Sequence, residues 1–532
     1  MIGQLKFSFI VLIVAILSGC ASLPPASDIP KTESFALAHP EETQLAKHFD
    51  YAAHQQGGNS GFRIIPVGAD GFLMRMQMIN AAARTLDLQY FVFRGDETGR
   101  LLTDAVLHAA DRGVRVRVLI DDGETVAGDD QLTALAAHPS VEIRIFNPFV
   151  YRGNIQLFRA TEFMFNASRL DYRMHNKLLV VDNAIALIGG RNIGDQFFQI
   201  DPESQFADDD VFAVGPIVKQ LSATFDEYWN STLSIPAEAL SGQKSSDADL
   251  DRLREALYAH NQQLKADGVG YVKRVAGGQP FDGIISGRLP LIWAHAQVIC
   301  DSPDKKKIES GATVGRPVQQ AIDNAAMAVH SELLMVTPFL IPGNEGMQLF
   351  KALRLRNVRV RILTNSLESS TIPLAQSGYM HYRAPLLENG VELFEIRSLL
   401  GNAKGSGQTA AISRYGNYSL HAKLFVFDRQ RVYIGSMNFD QRSMRINTEV
   451  GLIIDSPELA QQLAARFVAM VQPVNSYRLI LRPNDDGGGP PSLVWQTQEG
   501  ANAVEYDTEP ARSDWQRFKV NVLSLLPLDD EL

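Results

Sequence analysis

Apolar and polar positions follow one another along this chain in an order that occurs twice. The pattern first predicts a strand over 85–93, a helix over 101–112 and a strand over 114–121. It then predicts a strand over 332–341, a helix over 346–355 and a strand over 358–363. Arg112-Gly113-Val114-Arg115-Val116-Arg117-Val118-Leu119 aligns with Arg356-Asn357-Val358-Arg359-Val360-Arg361-Ile362-Leu363 at an offset of 244. A second pair of segments, treated below, aligns at 246, and so nearly constant an offset marks an internal duplication. Strands that alternate with helices predict an α/β fold, a sheet covered by helices. The expected organisation is a first lobe over 46–235, a connector and surface insertion over 236–290, and a second lobe over 291–480. The connector is polar and Gly-rich apart from a helical stretch near 250–264. A Gly/Pro loop opens the remainder, 481–532, and its tail is expected to pack back on the second lobe.

Length and composition add bounds rather than chemistry. A chain of 532 residues with 45% hydrophobic content can bury a large core in more than one domain. Its formal charge of −10 disfavours bulk attraction to nucleic acid or an anionic bilayer, so any affinity for phosphate has to be local. Residues 1–19 read as a secretory signal: one lysine, an apolar run from Phe7 to Leu17, then Leu17-Ser18-Gly19-Cys20. The run is short for a membrane-spanning helix, and its end resembles a bacterial lipobox, which implies cleavage before Cys20 and lipidation of that residue. Residues 20–45, with Pro24, Pro25, Pro30 and Pro40, read as a tether from the lipidated Cys20. Cys300 then has no partner for an intrachain disulfide.

The chemistry lies in the second pair of repeated segments. Met174-His175-Asn176-Lys177-Leu178-Leu179-Val180-Val181-Asp182 recurs as Leu420-His421-Ala422-Lys423-Leu424-Phe425-Val426-Phe427-Asp428. Both read His-x-Lys-x4-Asp, and in both an Asn follows the His by 17 positions, Asn192 and Asn438. At this composition even a relaxed form of the pattern is expected about 0.1 times by chance. Alternation along a strand puts His175 and Lys177 on one face and Asp182 on the other. Asp182 and Asp428 are therefore assigned to turns or buried hydrogen bonds rather than to catalysis. A tight two-residue turn after each Asp would set Asn192 across from His175, and Asn438 across from His421. An imidazole, an ammonium and a carboxamide on one face suit a phosphate diester. Lysine is a poor metal ligand, there is no compact His/Cys cluster, and no Gly-x-Ser-x-Gly elbow is present, so metal and serine chemistry are disfavoured.

The two motifs resemble the HKD motifs of the phospholipase D superfamily. Arg173-Met174-His175-Asn176-Lys177 with Gly189-Gly190-Arg191-Asn192-Ile193-Gly194-Asp195 is similar to its bacterial cardiolipin synthase branch. Thr364-Asn365-Ser366-Leu367, Ser377-Gly378-Tyr379, Tyr382-Arg383 and 386–393 extend the resemblance, as do Glu509-Pro510 and Ser524-Leu525-Leu526-Pro527. The nearest group is the cardiolipin synthase C-like one. The resemblance implies two lobes related by a pseudo-twofold axis, each a mixed β-sheet flanked by helices, with one active site between them. It implies double displacement through a phosphatidyl-histidine, with Lys177, Lys423, Asn192 and Asn438 holding the phosphate and no metal or cofactor. It also implies an acidic residue that orients an imidazole, for which Glu449 and Asp208, within Asp208-Asp209-Asp210, are the candidates. His175 is the nucleophile and His421 the acid/base by resemblance, while the near-identity of the half-sites leaves that order open on the residues alone.

Glycerophospholipids are the implied substrates, with phosphatidylglycerol first and phosphatidylethanolamine second. A lipid hydroxyl as acceptor would make the enzyme a cardiolipin synthase; water would make it a hydrolytic phospholipase D. A nuclease and a non-catalytic phospholipid-binding lipoprotein are the other readings. Net negative charge and the absence of basic stripes count against nucleic acid. The expected location is the cell envelope, as a lipid-anchored protein of the outer membrane facing the periplasm, with any protein partner left open. Tyr90, Phe91, Pro338 and Phe339, at the ends of the first strand of each repeat, are candidates either for a lipid entrance or for core packing.

Overall fold

The computed structural model describes residues 29–123, 129–151, 156–200, 204–241, 246–267, 279–305, 316–400, 417–483 and 491–525. The signal segment, Cys20, most of the Gly/Pro loop after Arg482, and Leu526-Pro527 lie outside the described residues. Lobe one carries β1 (Ser60–Ile65), β2 (Thr85–Tyr90), β3 (Arg115–Asp121), β4 (Val141–Phe146), β5 (Leu178–Val181), β6 (Ile185–Gly189), β7 (Ser204–Ala207), β8 (Asp210–Val214) and β9 (Ser234–Pro236). Lobe two carries β10 (Ile292–Cys300), β11 (Glu332–Val336), β12 (Arg359–Asn365), β13 (Glu392–Ile396), β14 (Asn417–Leu420), β15 (Leu424–Phe427), β16 (Arg431–Gly435), β17 (Val450–Asp455) and β18 (Ser476–Arg482). β19 (Ser492–Glu499) and β20 (Asn502–Tyr506) follow.

The pairings run in the order β9-β4-β3-β2-β5-β6-β8-β1 through lobe one. They continue as β10-β17-β16-β15-β11-β12-β13-β18-β19-β20 through lobe two. β10 joins the halves: Ile292 to Ala294 pair with β1 and His295 to Cys300 pair with β17. The result is one 18-stranded mixed sheet in which β2-β3-β4 and β11-β12-β13 are parallel and the rest antiparallel.

The apolar strands of the motifs are buried on both faces, which is why they read as continuous runs rather than as alternation. Leu178 and Val180 enter a core shared by both lobes, while Leu179 and Val181 enter the core of lobe one. Leu424 and Val426 enter the shared core, and Phe425 and Phe427 that of lobe two. Helices Pro216–Asn230 and Pro457–Met470, one from each lobe, line the shared core with Leu221, Phe225, Trp229, Leu463 and Phe467. Both lobes therefore lose apolar surface to water together, at roughly 25 cal/mol per Å² buried.

Three features depart from the expected organisation. The segment from 236 to 290 is not a bare connector. Its helices Asp247–Asp267 and Pro280–Ile285 place Leu250, Leu253, Leu257, Phe281 and Ile284 in the core of lobe one, so the helical spacing outweighs the polar composition. The described end of the tether, 29–43, is tied to lobe one by hydrogen bonds, although most of it stays exposed. Arg144, Arg117 and Arg115 have partly or fully buried side chains, and they donate to the carbonyls of Thr32, Ser34 and Phe35. Those buried guanidiniums need acceptors, and the strap supplies them. Finally, each motif hairpin is one residue off the expected register. Val181 pairs with Ile185 and Phe427 with Arg431 across three-residue loops, with Asp182, Asn183, Asp428 and Arg429 all at φ of 50–55°. A one-residue shift changes every cross-strand partner, so Asn192 is not opposite His175, nor Asn438 opposite His421.

Candidate functional site

The two parallel triplets of strands end at the same edge of the sheet as the motif histidines. Leu178 pairs with Gln89 near the C-terminal end of β2, so His175 to Lys177, which precede β5, lie just beyond that end. Leu424 pairs with Val336 at the end of β11, so His421 to Lys423 stand in the same relation to lobe two. The C-terminal edge of parallel strands is where α/β folds place their ligands.

The lobes then exchange carboxylates. β7 of lobe one pairs in parallel with β14 of lobe two, setting Ala207 against Leu420. The amides of His421 and Ala422 both donate to the Ala207 carbonyl, at 2.7 and 3.0 Å. Asp208, the next residue, thereby reaches His421, with Oδ2 2.5 Å from Nδ1. The mirror arrangement starts from the bridge between Met174 and Thr448. The His175 amide donates to the Thr448 carbonyl at 2.9 Å, and Glu449, the next residue, lies 2.9 and 3.1 Å from Nδ1 of His175. Each imidazole is thus held by an acid from the opposite lobe. With Nδ1 engaged by a carboxylate, Nε2 is the nitrogen left for chemistry.

Around this pair the site is buried and holds two lysines against the two carboxylates. Lys177 and Lys423 are buried, and each donates to the carbonyl of the His two positions before it. The Lys177 ammonium also lies 5.2 Å from the centre of the Phe91 ring, and that ring packs edge-on against His175 at 5.0 Å. Phe197 and Phe206 flank His421 at 5.2 and 5.1 Å. Phe91 is therefore part of the site, whereas Tyr90 is buried and accepts from Arg75 in the core. Pro338 is buried, and its carbonyl accepts from Asn365.

Burial pushes the imidazole of His421 down to about 3 and the ammonium of Lys423 down to about 8; Lys423 adds to the effect on His421 and Asp208 opposes it. Burial, then Lys177 and Lys423, hold His175 well below the usual imidazole range, and burial does the same to Lys177 for an ammonium. The two acids differ. Burial raises Glu449. At Asp208 burial also acts upward, but the contact with His421 and the charge of Lys423 outweigh it and the net direction is down.

The Asn192 carboxamide oxygen accepts from the Val92 amide at 3.1 Å, and Asn438 is buried with no hydrogen-bond partner for its oxygen among the described residues. Asp182 and Asp428 sit at the other end of the strands. Asp182 accepts from the amides of Ala83, Arg84 and Thr85, and Asp428 from those of His330, Ser331 and Glu332. Each therefore anchors the start of the neighbouring first strand. Asp209 and Asp210 are buried as well, but Asp210 pairs with Arg75 and Arg191 instead of an imidazole.

Two further residues support the acids and the histidines. Ser436 donates from its hydroxyl to Glu449 at 2.5 Å; its counterpart is Gly190, where a Cβ would collide with the Asp208 carboxylate. Asn365 brackets Leu420, accepting from its amide at 2.8 Å and donating to its carbonyl at 2.9 Å, and so fixes the residue before His421. In the sequence Ser436 reads only as a small residue after Gly435, and Asn365 only as part of Thr364-Asn365-Ser366-Leu367. Among the described residues no group of three or more His, Cys, Asp or Glu is placed to hold a metal ion.

Comparison with known proteins gives a consistent result. Residues 76–229 and 318–471 each match the family described as cardiolipin synthase, PLD-like domain. Cardiolipin synthase C of Escherichia coli (strain K12) is 34% identical over 476 residues, covering 89% of this chain and 97% of its own. The major cardiolipin synthase ClsA of Bacillus subtilis (strain 168) is 24% identical, covering 76% of this chain and 67% of its own. Among solved structures, phosphatidylserine synthase of Haemophilus influenzae Rd KW20 superposes with a TM-score of 0.52 at 13% identity, over 81% of this chain and 92% of that one. That likeness is one of fold.

The depressed imidazole has a consequence for stability. A His421 that stays neutral to about pH 3 when folded, against an ordinary value of 6.5, binds its proton more readily unfolded. Its contribution is complete above 6.5 and is lost as pH falls toward 3. Denaturation midpoints of the wild type should fall across that interval more steeply than those of His421→Asn. Parallel curves for the two proteins would contradict the assignment.

Proposed function

Because this chain belongs to the cardiolipin synthase family of phospholipase D-like proteins, we propose that it moves a phosphatidyl group between lipid alcohols through a phosphatidyl-histidine, as a cardiolipin synthase does. The observation that carries this reading is the exchange of carboxylates, His175 with Glu449 and His421 with Asp208, which engages both Nδ1 atoms and leaves both Nε2 atoms for chemistry beside Lys177 and Lys423. Nε2 of His175 attacks phosphorus, the bond to the headgroup alcohol breaks, and His421 as imidazolium gives that oxygen its proton. His421, now neutral, takes the proton of the incoming hydroxyl, which attacks phosphorus and releases His175. Lys177 and Lys423, with the carboxamides of Asn192 and Asn438, hold the non-bridging oxygens as charge builds.

The two acids sit in different surroundings: contact with His421 holds Asp208 down against burial, and burial raises Glu449. The order of the two histidines is taken from the family. Burial first, and the lysine charges after it, depress both rings; a bound phosphodiester anion would offset the lysine charges, so substrate binding should bring proton uptake. Phosphatidylglycerol is the proposed donor and acceptor, with phosphatidylethanolamine a second donor. We also propose that Cys20 carries the lipid of an envelope lipoprotein, in the outer membrane facing the periplasm.

Lipid mass spectrometry of the detergent-solubilised protein with phosphatidylglycerol should show cardiolipin and free glycerol. Phosphatidic acid as the sole product would make water the acceptor. His175→Ala and His421→Ala should each lower turnover by roughly three or more orders of magnitude, and the double variant little further, because the residues act as a unit. A single variant that keeps a tenth of the activity would contradict the pairing. Fatty-acid label should appear on the wild type and vanish in Cys20→Ser; label that survives would remove the lipoprotein reading.

A further inference from the structure

The last helix among the described residues, Asp514–Leu523, turns its apolar stripe outward. Trp515, Phe518 and Val522 fall within about 60° of one another on the helix surface, and the buried Val520 lies roughly opposite. Trp515 is 67% and Phe518 58% exposed, and their rings stack on each other at 5.5 Å. A surface helix ordinarily turns that stripe to the core. Lys519 and Arg512, both exposed, border the stripe.

This helix is tied to the catalytic edge. Gln516 donates to the Leu367 carbonyl at 2.7 Å, and Arg512 donates to that of Glu368. Both acceptors lie in the loop that leaves the C-terminal end of β12 directly after Asn365, the residue that brackets Leu420 beside His421. Lobe one offers a second apolar element at the same edge. Helix Gln156–Leu170 follows β4 and leads into His175, with Met164 77% and Phe165 60% exposed. Its Glu162 accepts from the amides of Val150 and Tyr151, which ties it to the chain leaving the C-terminal end of β4.

The strap leads to the same edge. Lys31 donates to the carbonyls of Ser231 and Ser234, and Ser234 pairs with Phe146 at the C-terminal end of β4. From there the strap descends past Arg144 and Arg117 to Leu37, whose carbonyl accepts from Asn183 at the opposite edge of the sheet. The described chain thus starts at the catalytic edge. Residues 21–28 can span at most roughly 30 Å, so a lipid on Cys20 would hold that edge near the bilayer.

We propose that the catalytic edge is a bilayer-docking face, with Trp515 and Phe518 of the last helix and Met164 and Phe165 of lobe one entering the interfacial region of an anionic phospholipid leaflet. Aromatic side chains bordered by lysine and arginine have the chemistry of that region. Docking there presents phospholipid to the histidines without removing it far from the leaflet. This rests on the phospholipid reading above.

The test uses the full chain in phosphatidylglycerol-containing vesicles that carry bromine-labelled acyl chains. Bromine should quench a tryptophan component that is missing from Trp515→Leu. Trp515→Ser/Phe518→Ser should lower turnover of vesicle lipid by roughly tenfold or more and leave turnover of a monomeric short-chain phosphatidylglycerol within about twofold. No quenching at Trp515, or equal losses on both substrates, overturns the proposal. So does a dimer in sedimentation equilibrium that the double substitution dissociates, since a second copy would then cover the stripe. If the wild type turns over neither substrate while quenching persists, the phospholipid-transfer reading fails and the docking face stands.

Discussion

The structure turns on one exchange: each motif imidazole is held by a carboxylate from the other half of the chain. His175 alone would be a desolvated base beside a lysine, and burial with that charge disfavours its protonation. Glu449 fixes its tautomer and offers a charge to set against a developing imidazolium. Asp208 does the same for His421. Neither lobe contains a complete site, so the function depends on how the lobes are held together rather than on either one.

Three devices hold them. β10 pairs with β1 on one side and β17 on the other, which makes the two sheets continuous. The inner faces of β5 and β15 and the helices Pro216–Asn230 and Pro457–Met470 share one core. At the site itself, the parallel pairing of β7 with β14 and the bridge of Met174 with Thr448 deliver each acid through the backbone. Because the carbonyl before each acid accepts from the histidine's own amide, the position of the carboxylate is set by main-chain hydrogen bonds and not by its rotamer alone. Local packing and chemical geometry are here the same set of contacts.

Much of the fold was legible in the sequence because duplication wrote it twice. The strand-helix-strand order of each lobe survives as Thr85–Tyr90, Glu97–Asp111 and Arg115–Asp121, and as Glu332–Val336, Gly343–Leu355 and Arg359–Asn365. The histidines and lysines were legible as a set because their spacing recurs. What was not legible depended on three-dimensional choices that spacing leaves free. Asp182 and Asp428 take left-handed backbone and lengthen each hairpin loop by one residue, which no periodicity reports. Which acid serves which imidazole depends on the lobes crossing over, and a linear sequence gives no sign of that. Ser436, the counterpart of Gly190, reads in the sequence only as a small residue, and its bond to Glu449 depends on the fold. Residues 29–43 looked like tether because their partners, the arginines of β3 and β4, are far away in the sequence.

The central claim is that the two half-sites act in sequence through a covalent bond to one imidazole. Its most direct test is to incubate His421→Asn with a phospholipid bearing an activated leaving group and map the phosphate by peptide mass spectrometry. The leaving group then needs no proton, while the missing base slows release of the intermediate. Acid-labile, base-stable lipid phosphate on His175, absent from His175→Ala, is the predicted result. Phosphate on neither histidine, together with inversion at a chiral phosphorus in the wild-type reaction, would contradict it.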